Sequence, residues 1–253
     1  MKLNQWANVV RWEHRPRAFL RTSEFLWQEG HTAHATSEEA RTTTLEMLDL
    51  YADVCKEMLA IPVVKGMKSP SEKFAGAEET FTIEAFMQNG WALQAGTSHD
   101  LGQKFAQAFD VHFLDQQGDR HKVWSTSWGV STRLMGALVM THSDDIGLVL
   151  PPNIAPIQVV IIPIFAKTKE EKEAVEGVVS MVTNQLRRNG IRVEVDDRDY
   201  MRPGAKYFEW ERKGVPLRIE IGPRDVANHT IVMKSRLFGS EKQIIELYEN
   251  ENE

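Results

Sequence analysis

Hydrophobic and polar positions change period along this chain, and the changes mark its elements. Phe25, Trp27, Glu29 and His31 alternate with their neighbours, so in a strand pair that includes Trp6–Val10 they would share one face. Residues 36–60 take helical spacing, with Leu45, Leu48, Ala52, Cys55 and Leu59 on one stripe and Thr36 and Glu39 at capping-box distance. Thr80–Met87 alternates, Asn89-Gly90 supplies hairpin-turn chemistry, and Trp91–Ala95 follows, which predicts two antiparallel strands. Phe109, Val111 and Phe113 predict a further strand, and Arg133–His142 a helix. These elements assemble most naturally as an antiparallel sheet flanked by helices.

Pro151, Pro152 and Pro156 mark a boundary, after which the pattern changes character. Gln158–Ile164 is a near-continuous apolar run, as in a strand buried on both faces. Thr168 and Glu171 cap a helix with Val175, Val178, Val179, Val182 and Leu186 on its apolar side, Gly190 ends it, and Ile191–Val195 is a second strand. This reads as a βαβ unit with parallel strands. A helix near 205–213 and strands near 215–221, 230–236 and 244–247 complete an α/β domain, followed by the acidic tail Glu249–Glu253. The expected fold class is therefore α+β: an antiparallel sheet with helices over 1–153, then an α/β mixed-sheet domain over 157–253.

Composition narrows the setting. At 253 residues, 42% hydrophobic and 26% charged, the chain suits one large or two modest globular domains. No stretch resembles a membrane span or a signal peptide, and the single cysteine, Cys55, excludes an internal disulfide and a multi-cysteine zinc site. A cytoplasmic protein is expected, with Cys55 packed as a small apolar residue. The net charge of −6 argues weakly against nucleic-acid binding, but Lys2, Arg11, Arg15, Arg17 and Arg21 gather near the start against Glu13, Glu24 and Glu29.

That basic segment carries the first candidate chemistry. Arginine presents a fork of donors to phosphate oxygens, and a neighbouring glutamate can orient it or accept from a base amino group. Composition alone leaves two readings open: a site for a phosphorylated ligand beside an aromatic and acidic wall, or a half-buried strand pair with surface salt bridges.

The motifs in order decide between them. Arg11-Trp-Glu13 followed by Phe19-Leu-Arg-Thr-Ser-Glu-Phe-Leu-Trp-Gln-Glu-Gly-His31 resembles motif 2 of class II aminoacyl-tRNA synthetases. The Trp-Gln-Glu-Gly-His form resembles that of prolyl-tRNA synthetases, in the type found in archaea and the eukaryotic cytosol. Lys73-Phe-Ala-Gly76, Gln94-Ala-Gly-Thr-Ser-His99, Ser127-Trp-Gly-Val-Ser-Thr-Arg133 and Gly147-Leu-Val-Leu-Pro-Pro152 recur in the same order. Trp210-Glu-Arg-Lys-Gly-Val-Pro-Leu-Arg218 and Gly222-Pro-Arg-Asp225 resemble that family's anticodon-binding domain.

The resemblance implies a proline–tRNA ligase that uses ATP with Mg²⁺, L-proline and proline tRNA, and that pairs as a homodimer. It implies that Arg11 contacts the α-phosphate and the amino-acid carboxylate, and that Arg133 holds the distal phosphates over the adenine. Glu13, Arg21, Thr22, Phe25, Gln94, Thr97 and Ser131 complete the ATP contacts, with Gln94 also the Mg²⁺ candidate. Trp27, Glu29, His31, Phe74 and His99 would wall the proline, and Glu211, Arg218, Arg224 and Asp225 would read the anticodon guanines. His14, His34, His121, His142 and His229 are read as ordinary structural histidines. The adjacent Asp144 and Asp145 are read as solvent-facing and carry no assigned role.

Motif 1, a Thr-x-Glu loop for the proline ammonium, a terminal helix and a cysteine-bearing domain have no match here. The chain is therefore expected to be N- and C-terminally truncated relative to that family. The alternative expectation is a catalytically silent nucleotide- or tRNA-binding fragment.

Overall fold

The first turn of the chain back on itself is enforced by side chains that pair across two strands. In β1 (Lys2–Val10) and β2 (Glu24–His34), Gln5 stands opposite Glu29 and Asn4 opposite Gly30. Gln5 Nε2 donates to Glu29 Oε2 at 2.7 Å, and Gln28 Nε2 donates to Asn4 Oδ1 at 2.6 Å. The computed structural model of the protein describes residues 1–164, 167–237 and 239–247, which divide into two compact units, Met1–Thr141 and His142–Glu253. The acidic tail Glu249–Glu253 lies outside the described residues.

The first unit is built on a six-stranded antiparallel sheet. Its order is β1, β2, β8 (Trp124–Ser131), β5 (Ala92–Gly102), β4 (Glu79–Phe86) and β3 (Val63–Met67). Helix α1 (Ser37–Asp53) covers one face: Tyr51 Oη donates to Gln28 Oε1, and Ser98 Oγ donates to the Thr44 carbonyl at 2.8 Å. Close approach on that face needs Gly30, where a Cβ would fall 2.2 Å from the Trp128 ring. The opposite face carries the alternate residues of each strand and stays open.

The capping expectation for α1 is met, with Glu39 N donating to Thr36 Oγ1 at 3.2 Å. The expected single helix over 36–60 instead changes at Val54 into a π-helical turn, Val54–Met58, where Leu59 N reaches the Val54 carbonyl. The buried stripe also differs: Thr43, Thr44 and Tyr51 join Leu48, Cys55 and Leu59, while Leu45 and Ala52 are half-buried. Thr44 tolerates burial because its hydroxyl donates to the Ala40 carbonyl at 2.9 Å. Cys55 is buried, and desolvation pushes its thiol up to about 11, as expected of a packing residue.

The strand expected through Phe109, Val111 and Phe113 is a correction. Phe109 closes the short helix α2 (Lys104–Ala108), Asp110 takes a left-handed φ of 54°, and only His112–Leu114 is extended, as β6. β6 pairs with β7 (Arg120–Lys122) as a separate two-stranded ribbon. Alternating apolar residues mimic a strand here because the local contacts Phe109 N to Phe105 O and Val111 N to Ala106 O are not visible in period alone. The expected helix at Arg133–His142 is α3.

The second unit holds a five-stranded mixed sheet in the order β10 (Val193–Val195), β9 (Val159–Pro163), β11 (Leu217–Ile221), β12 (Thr230–Ser235) and β13 (Gln243–Glu246). β9 pairs parallel with both β10 and β11, and α4 (Lys169–Arg188) makes the crossover with its Thr168–Glu171 capping box intact. Val159 and Ile161 pack with Val175, Val179 and Val182, whereas Val160 and Ile162 face Trp210 of α5 (Pro203–Arg212). Burial on both faces explains the apolar run. The helix α6 (Pro223–Ala227), too short to show periodicity, was not anticipated.

Residues just after α3 belong to this second unit. Leu148 N donates to the Arg212 carbonyl at 3.0 Å, and Asp144 receives both terminal nitrogens of the buried Arg236, at 2.9 and 2.7 Å. The reading of Asp144 as an idle solvent-facing acid is therefore corrected. Hydrogen bonds from Arg236, set against desolvation, hold its carboxyl well below the usual range.

Candidate active site

The open face of the first sheet forms a cavity of about 470 Å³. Strand register sets the rows its lining is drawn from: Glu29, Gly129, Thr97 and Thr82 stand in one row across β2, β8, β5 and β4, and His31, Ser127, His99 and Thr80 in the next, all but Thr82 and His31 lining the cavity. Of the residues proposed from sequence, Arg11, Phe25, Trp27, Glu29, Phe74, Gln94, Thr97, His99, Ser131 and Arg133 line this one cavity.

Its cations have unusual surroundings. The Arg11 guanidinium lies over the rings of Phe25 and Trp27, 5.3 and 5.4 Å from their centroids. Arg133 Nε donates to the Leu20 carbonyl at 3.0 Å. Neither arginine has a carboxylate partner among the described residues. Burial, then the neighbouring Arg21 and Arg11, lower the pKa of Arg133, so its charge is held against its environment. Trp27 Nε1 is buried and has no acceptor among the described residues. Uncompensated cations beside an orphaned donor suit an anionic ligand with several oxygen acceptors.

Other expected residues fall elsewhere. Glu13 and Arg21 border a neighbouring cavity of about 500 Å³, which meets the first at Arg133. Glu13 accepts from Arg15 N at 2.9 Å and lies 3.7 Å from Arg21 Nη1. Thr22 donates to the Glu24 carbonyl at 2.8 Å, and the exposed His31 stands 3.2 Å from Glu29. Thr22 and His31 are absent from the lining of both cavities.

The structure also adds residues that no motif marked. Lys68, Glu72 and Thr80 line the cavity, as does Ser127, which lies in a motif but had no assigned role. Lys68 Nζ donates to Gln94 Oε1, so the oxygen a Mg²⁺ ion would need already faces a cation. No group of three or more His, Cys, Asp or Glu gathers among the described residues. As arranged, these side chains supply no ligand set of their own for the ion. His99 is half-buried beside Phe74, with rings 5.2 Å apart; desolvation first, then Lys68, lower its pKa to about 4, which keeps it neutral.

In the second unit, Glu211 and Arg218 meet at 2.7 Å. Arg218 is 6% exposed, donates through Nε to Glu220 Oε1 at 3.1 Å, and lies 4.1 Å from the Tyr207 ring centroid. Burial alone would raise Glu220, yet bonds from Lys242 and Tyr207 keep it below its ordinary value. On α6, Asp225 Oδ2 accepts from Gly222 N at 2.8 Å, and Arg224 is exposed.

An antiparallel sheet with helices on one face and unpaired arginines beside aromatics on the other is the arrangement of a class II synthetase core. A family model of the tRNA synthetase class II core domain (G, H, P, S and T) matches residues 1–142, and one of the anticodon binding domain matches residues 158–251. The chain belongs to this class II synthetase family. Among its relatives are the proline–tRNA ligases of Flavobacterium psychrophilum and Amoebophilus asiaticus, each 61% identical over 92% of this chain, covering 47% and 48% of those proteins. The crystal structure of prolyl-tRNA synthetase from Cryptosporidium parvum, complexed with L-proline and AMP, is 47% identical with a TM-score of 0.91, over 100% of this chain and 54% of that one. The chain thus spans about half the length of the relatives it matches.

Proposed function

We propose that this chain carries the ATP- and proline-binding part (residues 1–153) and the anticodon-binding part (157–253) of a proline–tRNA ligase. The observation that carries the reading is the pair of carboxylate-free arginines, Arg11 and Arg133, facing one cavity with Phe25, Trp27, Glu29 and His99. A proline carboxylate oxygen attacks the α-phosphorus of ATP, pyrophosphate leaves, and prolyl-adenylate forms; the tRNA 3′-terminal hydroxyl then attacks the carbonyl and AMP leaves. Arg11 bridges the carboxylate and α-phosphate, and Arg133 meets the negative charge that develops on the phosphates. Phe25 stacks on the base, while Gln94, Thr97 and Ser131 contact the nucleotide. Glu13 and Arg21 approach it from the neighbouring cavity, with Thr22 between Arg21 and Glu24 completing the nucleotide contacts. The proline carboxylate is already an anion, so positioning and electrostatics replace a general base.

Trp27, Phe74 and His99 wall the ring, and Glu29, with His31 beside it, faces the secondary ammonium. Glu211, Arg218, Arg224 and Asp225 read the two anticodon guanines at an unstacked loop. Mg²⁺ bound to the ATP phosphates would supply charge neutralisation there, and Gln94 would hold it only if Lys68 released its Oε1. The protein works in the cytoplasm as a homodimer, and no helix among the described residues is long and apolar enough to cross a membrane. The Trp-Gln-Glu-Gly-His sequence supports the type found in archaea and the eukaryotic cytosol, while the relatives at 61% identity are bacterial.

The test is amino-acid-dependent ATP–pyrophosphate exchange. L-Proline alone should support it. Binding of proline and ATP without exchange would identify the silent nucleotide-binding reading instead. Equal exchange with another amino acid would overturn the assignment.

A further inference from the structure

Thr80 sits at the start of β4, 1% exposed, where three parts of the cavity meet. Its carbonyl accepts from Lys68 N at 2.8 Å, and its hydroxyl oxygen accepts from Phe74 N at 3.1 Å. The same oxygen lies 3.0 Å from His99 Nδ1. A hydroxyl has one proton to give. Phe74 N–H already occupies one lone pair, and Nδ1 is the only acceptor within reach of the hydroxyl proton among the described residues. The arrangement satisfies both groups only when Thr80 donates to Nδ1. His99 then carries its proton on Nε2, which makes no hydrogen bond among the described residues.

We propose that Thr80 is a positioning residue: its one hydroxyl ties Phe74 to His99 and fixes His99 as the Nε2–H tautomer, so that the ring offers the cavity a donor. The ligand atom it meets is an acceptor oxygen, such as one on the carboxylate or carbonyl of a bound aminoacyl group. This last step rests on the amino-acid-site reading above; the tautomer does not. A second tie has the same sense. Gly76, at φ +96°, leaves room for Phe105, which stacks on Phe74 at 6.2 Å between centroids, so the segment carrying Phe74 is clamped from both sides.

A hydrogen bond to one ring nitrogen chooses which nitrogen of a histidine carries the proton and faces its partner. An isosteric Thr80→Val replaces the hydroxyl by a methyl and removes both ties at once. Thr80→Ser keeps the oxygen and both ties.

The test reads the His99 ring nitrogens by ¹⁵N NMR of the whole chain, with His99→Gln to assign the signals. The wild type and Thr80→Ser should show protonated Nε2 and bare Nδ1, and Thr80→Val a shift toward protonated Nδ1 or a mixture. Titration with a non-hydrolysable prolyl-adenylate analogue should weaken roughly tenfold in Thr80→Val, the worth of one good hydrogen bond, and stay within about twofold in Thr80→Ser. Protonated Nδ1 in the wild type overturns the proposal, even if Thr80→Val fails to fold. So does an unchanged spectrum in a folded Thr80→Val. The expected spectra with no binding of the analogue would uphold the tautomer and count against the amino-acid site alone.

Discussion

Both units set arginines against aromatic rings, and the two sets are in opposite electrostatic states. Arg11 lies over Phe25 and Trp27 without a carboxylate, and Arg133 is anchored only by a carbonyl. Arg218 lies over Tyr207 but is closed in by Glu211 and Glu220, and Arg198 is closed in by Asp196 and Glu209. The same side chain is a strut in one unit and stands without a carboxylate in the other. A paired, buried cation contributes to its own fold, whereas the exposed Arg11 adds little to it and the partly desolvated Arg133 gains most from an outside anion.

Breaking a strut should have the largest effect. Arg218→Met leaves Glu220 buried with one cation fewer and should cost about 3–5 kcal/mol in the stability of the second unit. Arg11→Met, by contrast, should change stability by less than about 0.5 kcal/mol. Paired chemical denaturation curves check this; equal losses would erase the distinction between the two states.

A smaller effect sharpens it from the RNA side. For Arg218 to read a guanine, it must trade a carboxylate for the base. Replacing either anticodon guanine of proline tRNA should therefore weaken filter binding by about 1–3 kcal/mol, the worth of one bidentate contact in comparable DNA cases. Equal affinity for native and anticodon-swapped tRNA would confine Arg218 to its structural role.

Acid should separate the units by pH. His99 has a folded pKa of about 4, below its ordinary 6.5, so its contribution is complete above pH 6.5 and is lost as pH falls toward 4. Asp196 would be raised by burial, but bonds from Arg198 and Trp210 depress it. Its contribution is present above an unfolded value of about 3.9 and is lost only below that. An NMR titration should thus move His99 and its neighbours first, with the surroundings of Asp196 unchanged down to pH 4. The reverse order would contradict the assigned environments.

The sequence made the regular parts of this molecule legible for identifiable reasons. Thr168, Glu171 and Gly190 bound α4 by local bonding alone, and the apolar run at β9 needed only burial on both faces. Period failed where short-range bonds override it, as at Phe109, and where polar side chains are buried with partners brought from afar, as with Tyr51 and Gln28. Ten of the candidate residues carried by motifs in the first unit line one cavity, whereas Glu13, Arg21, Thr22 and His31 do not. Lys68 and Thr80 stayed hidden because their part depends on strand register between β3, β4 and β5, which no single segment encodes.

Arg11 and Arg133, which have no carboxylate partner among the described residues, should take up a ligand's anionic groups. Titration calorimetry with ATP addresses it directly, on the wild type, Arg11→Ala, Arg133→Ala and Arg224→Ala. The account predicts one site, weakened on the order of 10²–10³-fold by either change in the first unit, the scale of losing one preorganised charge contact, and left intact by Arg224→Ala. Wild-type affinity in both Arg11→Ala and Arg133→Ala would contradict it.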